Sequence, residues 1–408
     1  MDAMEEAFQG LWKEIQKKGN FWTYGHAMDT ALDYLAYRGK AYATSYGPAA
    51  TDIIKPGHMT GEAWYDDDGW WNVAALKAYV LAPQLGWEKQ QQAFLDFCLA
   101  KWERFNKYAP EIWTKPFCQS GTAPYSGLAP KYPGGVWNTG WQVPGHTLPP
   151  GQEFWGSSRT RPWSESGDRL GGFQNTVTNG LRFVTGQRFY MHKIPAETYT
   201  KDQRGFFLYW FSDPHEPLLN RSDSTDHGRN PATGQPRRHP AKGAVVRERV
   251  GQYADPSVEV VGYDPDMAWA GDQGILLGAC IDFVTNNPDI PPTSIFLTTA
   301  KDIIAGVTSY LVDDKGILQH WPMGSSAPGG DDKDYVTGTG AFMRYLLYAY
   351  NNNADIKAMF APGSDYAQFV KINANYEDTN YPSDTDPITP YVNRLARLLA
   401  GAVILGTG

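Results

Sequence analysis

The chain has 408 residues, with 36 Lys plus Arg against 44 Asp plus Glu and a net charge of −8. An acidic chain without a basic block lacks the clustered cations that neutralise phosphates, which argues against nucleic acid as a partner. Charged residues at 20% and apolar residues at 42% support a large core rather than disorder. No run of about 20 apolar residues marks a membrane span, and three cysteines (Cys98, Cys118 and Cys280) allow one disulfide at most.

The first residues, Met1 to Glu6, lack the basic start and apolar stretch of a signal peptide. A cytoplasmic protein and an exported one whose leader has been removed both fit. From there, apolar residues recur at spacings of three and four, the helical period. The spacing predicts helices over 2–18, 24–39, 70–82, 87–105, 173–186, 193–211, 267–287, 296–312, 336–351, 364–375 and 388–404. Within 70–82 only Asn72 and Lys77 are strongly polar, so that helix is expected to be buried on most sides. Strand-like alternation is confined to Gly243–Val250 and Ser257–Gly262. Eleven helices with no shared repeat fit a closed double ring better than a solenoid. A ring packed at its centre must carry its site on the loops at one end.

Two long loops interrupt the helices. Residues 114–168 hold 8 Pro, 9 Gly and 4 Trp, and Trp137, Trp141, Trp155 and Trp163 favour an ordered surface there. Residues 212–265 hold seven prolines and a local basic patch of Arg237, Arg238, Lys242, Arg247 and Arg249, flanked by Glu248 and Asp255. That mixture reads as a solvated loop. The chain as a whole carries 15 Trp, 24 Tyr and 18 Phe, which fits either a large aromatic core or a surface that stacks flat ligands such as sugar rings.

The stretch richest in chemistry is Trp64-Tyr65-Asp66-Asp67-Asp68-Gly69-Trp70-Trp71. One Asp would serve as a helix cap, and acidic residues in a first turn complement the helix dipole. Three in a row exceed that need and raise one another's pKa. A carboxylate pair with split pKa values is what glycoside cleavage requires. The histidines show no zinc spacing, and no metal or cofactor is expected. Asp264–Asp266 and Asp331–Asp334 lack the full calcium-loop pattern and read as solvated turns. Cys98 and Cys280 lie on apolar helical faces and read as buried thiols.

Tyr-Asp-Asp-x-x-Trp-Trp resembles the active-site signature of glycoside hydrolase family 76, the endo-α-1,6-mannanases. Three further segments are similar to that family's motifs, in its order: Gln174–Gly180, Gly271–Gly278, and Gly330–Asp332 followed by Gly340–Leu346. The weaker piece Asp313–Leu318 also fits, and the resemblance spans roughly residues 22–350. It implies a single (α/α)6 barrel over residues 1–408 and retaining hydrolysis of α-mannan. It implies Asp66 as nucleophile and Asp67 as acid/base, with Asp68 a cap or pKa neighbour.

Retention places the two carboxyl groups about 5–5.5 Å apart. Neighbouring helical positions point about 100° apart, so the pair is expected in a turn ahead of the helix. Asn179, Asp272, Gln273 and Asp331 are candidate hydroxyl-binding groups, and Trp64, Tyr65, Trp70 and Trp71 candidate walls or stacking faces. At least one of Trp70 and Trp71 belongs to the core, since they point in different directions. Asn179-Gly180 fits a helix cap or kink equally well.

Gln174 stands where the family has Lys, and Gly271-Asp272 where it has Tyr-Asn, which leaves the exact substrate open. A transglycosylase of the same fold and a non-catalytic α-glycan-binding protein are the alternatives. A uronyl hydrolase would need a basic pocket, for which Arg182 and Arg344 are too few. The expected partner is an α-mannan polysaccharide or oligosaccharide, met by a monomer in an extracellular or periplasmic setting if a leader was removed.

Overall fold

The computed structural model describes residues 2–17, 19–60, 65–108, 135–136, 175–195, 200–212, 218–222, 238–249, 266–289, 291, 294–322, 335–378, 381–382 and 385–406. Trp64, Cys118, the four tryptophans of the first long loop, Gln174, the strand-like stretch 257–262 and Asp331 lie outside these residues.

Fourteen helices are described: α1 (Ala3–Ile15), α2 (Phe21–Arg38), α3 (Lys40–Ala43), α4 (Gly47–Ile53), α5 (Tyr65–Leu85), α6 (Gln91–Tyr108) and α7 (Thr176–Met191). They continue with α8 (Thr200–Ser212), α9 (Ala270–Asn286), α10 (Ile295–Tyr310), α11 (Gly338–Asn352), α12 (Ala354–Met359), α13 (Asp365–Ala374) and α14 (Thr389–Leu405). The eleven long helices expected from periodicity are all present with shifted ends. The three short ones, α3, α4 and α12, carry too few turns to show a period.

The packing closes a ring. Helix α2 lies on α5, α5 on α7, α7 on α9, α9 on α11, α11 on α14, and α14 returns to α2. The intervening helices form the outer layer: α1 against α14 and α2, α6 against α5, α8 against α7, α10 against α9, and α12 and α13 against α11 and α14. Inner and outer helices alternate along the chain, which is the (α/α)6 arrangement.

The sequences explain the division. Helix α1 buries a single stripe of Ala7, Phe8, Leu11, Trp12 and Ile15, as an outer helix should. Helix α9 is buried on every side from Ala270 to Phe283. Small residues let the inner helices approach one another: a Cβ at Gly274 of α9 would sit 2.7 Å from Cα of Phe342 on α11.

Small β-ladders brace the loops. Strand β1 (Gly19–Asn20) pairs in parallel with β2 (Met59–Thr60), and β3 (Leu219–Arg221) antiparallel with β4 (Ala244–Val246). The interior also holds charge. Arg344 pairs with Asp29, Lys77 bridges Asp29 and Asp33, and Arg188 binds Asp282 at 2.9 Å. Burial opposes the ionised form of Asp29, but the Arg344 and Lys77 cations beside it hold its carboxyl down at about 2. Among the described residues no helix is long and apolar enough to cross a membrane.

Candidate active site

The inner helices follow one another round the ring with their N-termini at one mouth, and bonds between their ends can be followed round it. The Trp71 indole on α5 donates to the Phe21 carbonyl at the start of α2. At the head of α7, the Thr176 amide donates to Glu248 O at 2.9 Å, and the Glu248 amide to Met267 O ahead of α9 at 3.0 Å. The Trp269 indole donates to Tyr335 O at 2.7 Å, and the Thr23 hydroxyl to Asp386, before α14, at 2.9 Å.

The three aspartates stand in the first turn of α5, not ahead of it. This corrects the expectation of a pre-helical turn. The first-turn amides have no partners within the helix, and carboxylates complement them and the dipole. That extends the helix back to Tyr65, five residues before the apolar run. The three carboxyl groups therefore fan out at roughly 100° steps. Asp67 is 8% exposed. Asp68 is fully buried, with Lys101 of α6 at 3.9 Å.

Asp66 is pushed up from 3.8 to about 7. Burial is the largest cause; the amides of Asp66 and Asp67 pull it down, and the charges of Asp68 and Glu248 push it up again. The first-turn amides thus favour the ionised form of Asp66, but desolvation outweighs them. Asp68 does act as a neighbour that raises Asp66.

Facing Asp66 is a group that the sequence reading did not assemble. Asp272, in the first turn of α9, is fully buried and neither carboxylate oxygen has a hydrogen-bond partner. Burial raises its pKa well above the usual range, and Glu248 and Asp66 add to the rise while Arg249 opposes it. Arg249 grips Glu248 through two hydrogen bonds, one of them 2.6 Å from Nη2.

Arg247, Glu248 and Arg249 are all buried, so this part of the 212–265 loop is not the solvated patch expected from its composition. Arg238 and Lys242 are exposed as expected. The one advance signal was the strand-like stretch Gly243–Val250, part of which forms β4 and carries these residues into the site.

The amide candidates are committed elsewhere. Asn179 Oδ1 accepts from the Val136 amide at 2.7 Å, and its Nδ2 donates to Val136 O at 3.0 Å and Asn175 O at 2.8 Å. Gln273 treats Val246 the same way, at 2.6 Å and 2.7 Å, and also donates to Trp269 O. Asn393 of α14 repeats the device, accepting from Gly340 N and donating to Val336 O. Each side chain clasps passing backbone as a β-ladder rung would, so Asn179 and Gln273 fix loops rather than offer groups to a sugar.

The aromatic candidates are also covered. Trp71 is fully buried, and Trp70 is packed against Trp22 and His26 at centroid distances of 6.2 Å and 5.2 Å. Tyr65 stacks on Phe105 at 6.3 Å. Both tryptophans are core, where the sequence required only one of them to be. Cys98 and Cys280 are buried thiols.

The chain has the fold of the family 76 glycoside hydrolases. It is similar to the α-1,6-mannanase GH76A of Salegentibacter sp. HEL1_6, at 13% identity and TM-score 0.56 over 98% of this chain and 99% of that one. A second structure of that enzyme is an inactive variant, with two consecutive aspartates replaced by asparagine, in complex with α-1,6-mannotriose. The family 76 α-mannanase of Bacteroides thetaiotaomicron matches at 9% identity and TM-score 0.51, over 98% and 94% of the two chains. Dfg5 of Chaetomium thermophilum, in complex with glucosamine, matches at 11% identity and TM-score 0.52 over 96% and 82%. No family model and no curated protein matches the sequence.

Proposed function

We propose that the protein is a retaining endo-α-1,6-mannanase in which Asp66 is the nucleophile and Asp67 the acid/base. The observation that carries this reading is the placement of the consecutive pair Asp66–Asp67 in the first turn of inner helix α5, at the mouth where the inner helices begin. The fold likeness to mannanases supports it, as does the pair of consecutive aspartates replaced in an inactive, mannotriose-bound relative.

Asp67 donates its proton to the glycosidic oxygen as the C–O bond breaks, while ionised Asp66 attacks the anomeric carbon and forms a mannosyl ester. Asp67, now a base, takes a proton from water, whose oxygen attacks the same carbon and returns Asp66 as carboxylate. Desolvation, helped by the charges of Asp68 and Glu248, holds Asp66 near the point where it ionises, so its charge is available at neutral pH without being over-stabilised. The site faces polymeric mannan outside the cytoplasm in this reading.

The test is digestion of linear α-1,6-mannan by wild type, Asp66→Asn and Asp67→Asn, with the anomer first released followed by proton NMR. Short oligosaccharides released first as the α-anomer, and lost in both variants, are expected. First release of the β-anomer, or undiminished turnover in either variant, overturns the mechanism. Transfer to added mannooligosaccharide in place of hydrolysis would identify a transglycosylase.

A further inference from the structure

The opposite mouth of the barrel holds a cavity of about 450 Å³, within the size range of small-ligand sites. It lies between the C-terminal parts of α2, α5, α7, α11 and α14. Lys77, which lines it, is 11 residues beyond Asp66 on α5, or about 16 Å along the helix. The cavity is thus separate from the proposed catalytic mouth, and its occupant does not depend on the reaction performed there.

The charged groups of its lining are already matched. Lys77 bridges Asp29 and Asp33, Arg188 binds Asp282 and Arg344 binds Asp29. Three cations thus meet three carboxylates. The Arg344 nitrogens that have no partner, Nε and Nη2, are shut off from solvent and unavailable to a ligand. A charged ligand would give up water here without finding a free counter-charge, a loss that a neutral one avoids.

The walls are aliphatic. Leu76, Leu347 and Leu399 are buried, while Leu81, Met191 and Val403 keep part of their surface open. The rim carries polar groups without partners: the side chains of Tyr37, His192 and Asn351 are exposed and make no hydrogen bond among the described residues. Burial, and then the Arg188 charge, lower the His192 pKa, so its ring is neutral and offers one donor and one acceptor. Tyr37 is 43% exposed, and Tyr190, in the last turn of α7 beside Met191, is 65% exposed. Among the described residues these are the large apolar side chains that stay exposed, and both stand at this mouth. Exposed apolar surface gathered at a cavity marks a binding site, whereas such residues scattered singly do not.

We infer that this far-mouth cavity binds a small neutral amphiphile, its alkyl or aryl body between Leu81, Met191 and Val403 and its hydroxyl or amide head at the rim with His192 and Asn351. The body removes the open faces of the walls from water, which is the main driving force. The rim side chains hold the head, since imidazole and amide each donate to and accept from an uncharged polar group. The closed ion pairs set the selection against charge.

The probes are 1-butanol, 1-pentanol and 1-hexanol, with hexanoate and hexylammonium as charged counterparts of the last, titrated by saturation-transfer NMR on the whole protein at pH 8. Affinity is expected to rise about threefold to fourfold with each methylene, and 1-hexanol to bind more tightly than either ion. Met191→Asp on α7 and Val403→Asp on α14 each place a carboxylate in the wall. Each should weaken 1-hexanol at least roughly tenfold with an unchanged circular dichroism spectrum. Because they sit on separate helices, either decides the location if the other fails to fold. Four results overturn the inference: no saturable binding of 1-hexanol up to about 20 mM, an affinity that stays flat along the series, tighter binding of either ion, or wild-type affinity in a folded Met191→Asp or Val403→Asp protein.

Discussion

Asp66 makes the proposed mechanism accountable to pH. Its carboxyl rises from 3.8 to about 7 because it is desolvated, one oxygen being shut off from solvent in a half-buried residue, and because Asp68 and Glu248 face it. If Asp66 attacks as an anion, kcat/KM on linear α-1,6-mannan must fall on the acid side with a midpoint near 7. At pH 5, two units below that midpoint, about one molecule in a hundred carries the ionised form, so activity drops roughly a hundredfold from its plateau.

The same shift has a stability consequence of definite sign. A folded-state pKa above the unfolded value means that the native protein holds a proton that the unfolded chain has lost. Asp66 therefore contributes a penalty that is absent below about 4, grows as pH rises toward about 7, and is constant above that. Counted in full, three pH units correspond to about 4 kcal/mol; solvent at a partly exposed carboxyl reduces this to about 1–2 kcal/mol. Asp66→Asn should thus melt higher than wild type at pH 8 and near wild type at pH 4. Rates from pH 4 to 9 and melts of both proteins over the same range supply the check. An acid limb below pH 5, or no pH-dependent gain in Asp66→Asn, refutes the reasoning. A profile that instead collapses above pH 7 assigns Asp66 the acid role and Asp67 the nucleophile.

Other outcomes follow from the packing. Asn179→Ala and Gln273→Ala each strand a buried amide and carbonyl of a clasped loop, and should cost about 1–3 kcal/mol in chemical denaturation. Gly274→Ala drives a Cβ to 2.7 Å from Cα of Phe342, and should cost about 1–3 kcal/mol or more by overpacking two inner helices; its urea midpoint reports this. Arg188→Met leaves Asp282 buried with the Tyr348 hydroxyl but without its cation, a loss of about 3–5 kcal/mol that Asp282→Leu in the same chain should partly restore, the Tyr348 hydroxyl then losing its acceptor. Thermal melts of the single and double variants separate that pairing from simple loss of volume.

The fold was legible because helical period survives in every inner and outer helix long enough to show it. Helix α9 reads as buried on all sides and α1 as one-sided, and the ring places them accordingly. The start of α5 was misread because the carboxyl separation required for retention argued for a turn, while the open amides of a first turn accept the three aspartates. The carboxylate run itself was legible, but the environment that sets its acidity was not. Glu248 and Arg249 come from a stretch whose composition reads as solvated, and only the pairing of β3 with β4 brings them inward. Asn179 and Gln273 were legible as polar residues near the site, yet nothing in the sequence shows that passing backbone already occupies them.

That occupation bears on which sugars the mouth admits. With Asn179 and Gln273 spent on Val136 and Val246, the charged groups that face one another here are Asp66, Asp68, Glu248 and Asp272 against Arg249. Arg249 is already bound by Glu248. A substrate carboxylate about 5 Å from one ionised member of this set is opposed by roughly 3 kcal/mol at an effective dielectric of 20, a discrimination of more than a hundredfold. A neutral mannose chain incurs no such cost. Uronate-bearing oligosaccharides should therefore be turned over at least about a hundredfold more slowly than neutral ones of equal length at pH 8. The gap should narrow as pH falls and the cluster takes up protons, and Glu248→Gln should narrow it at fixed pH. Competition assays with matched neutral and uronate trisaccharides measure it, and equal kcat/KM at pH 8 would show that the acidic cluster does not reach the substrate.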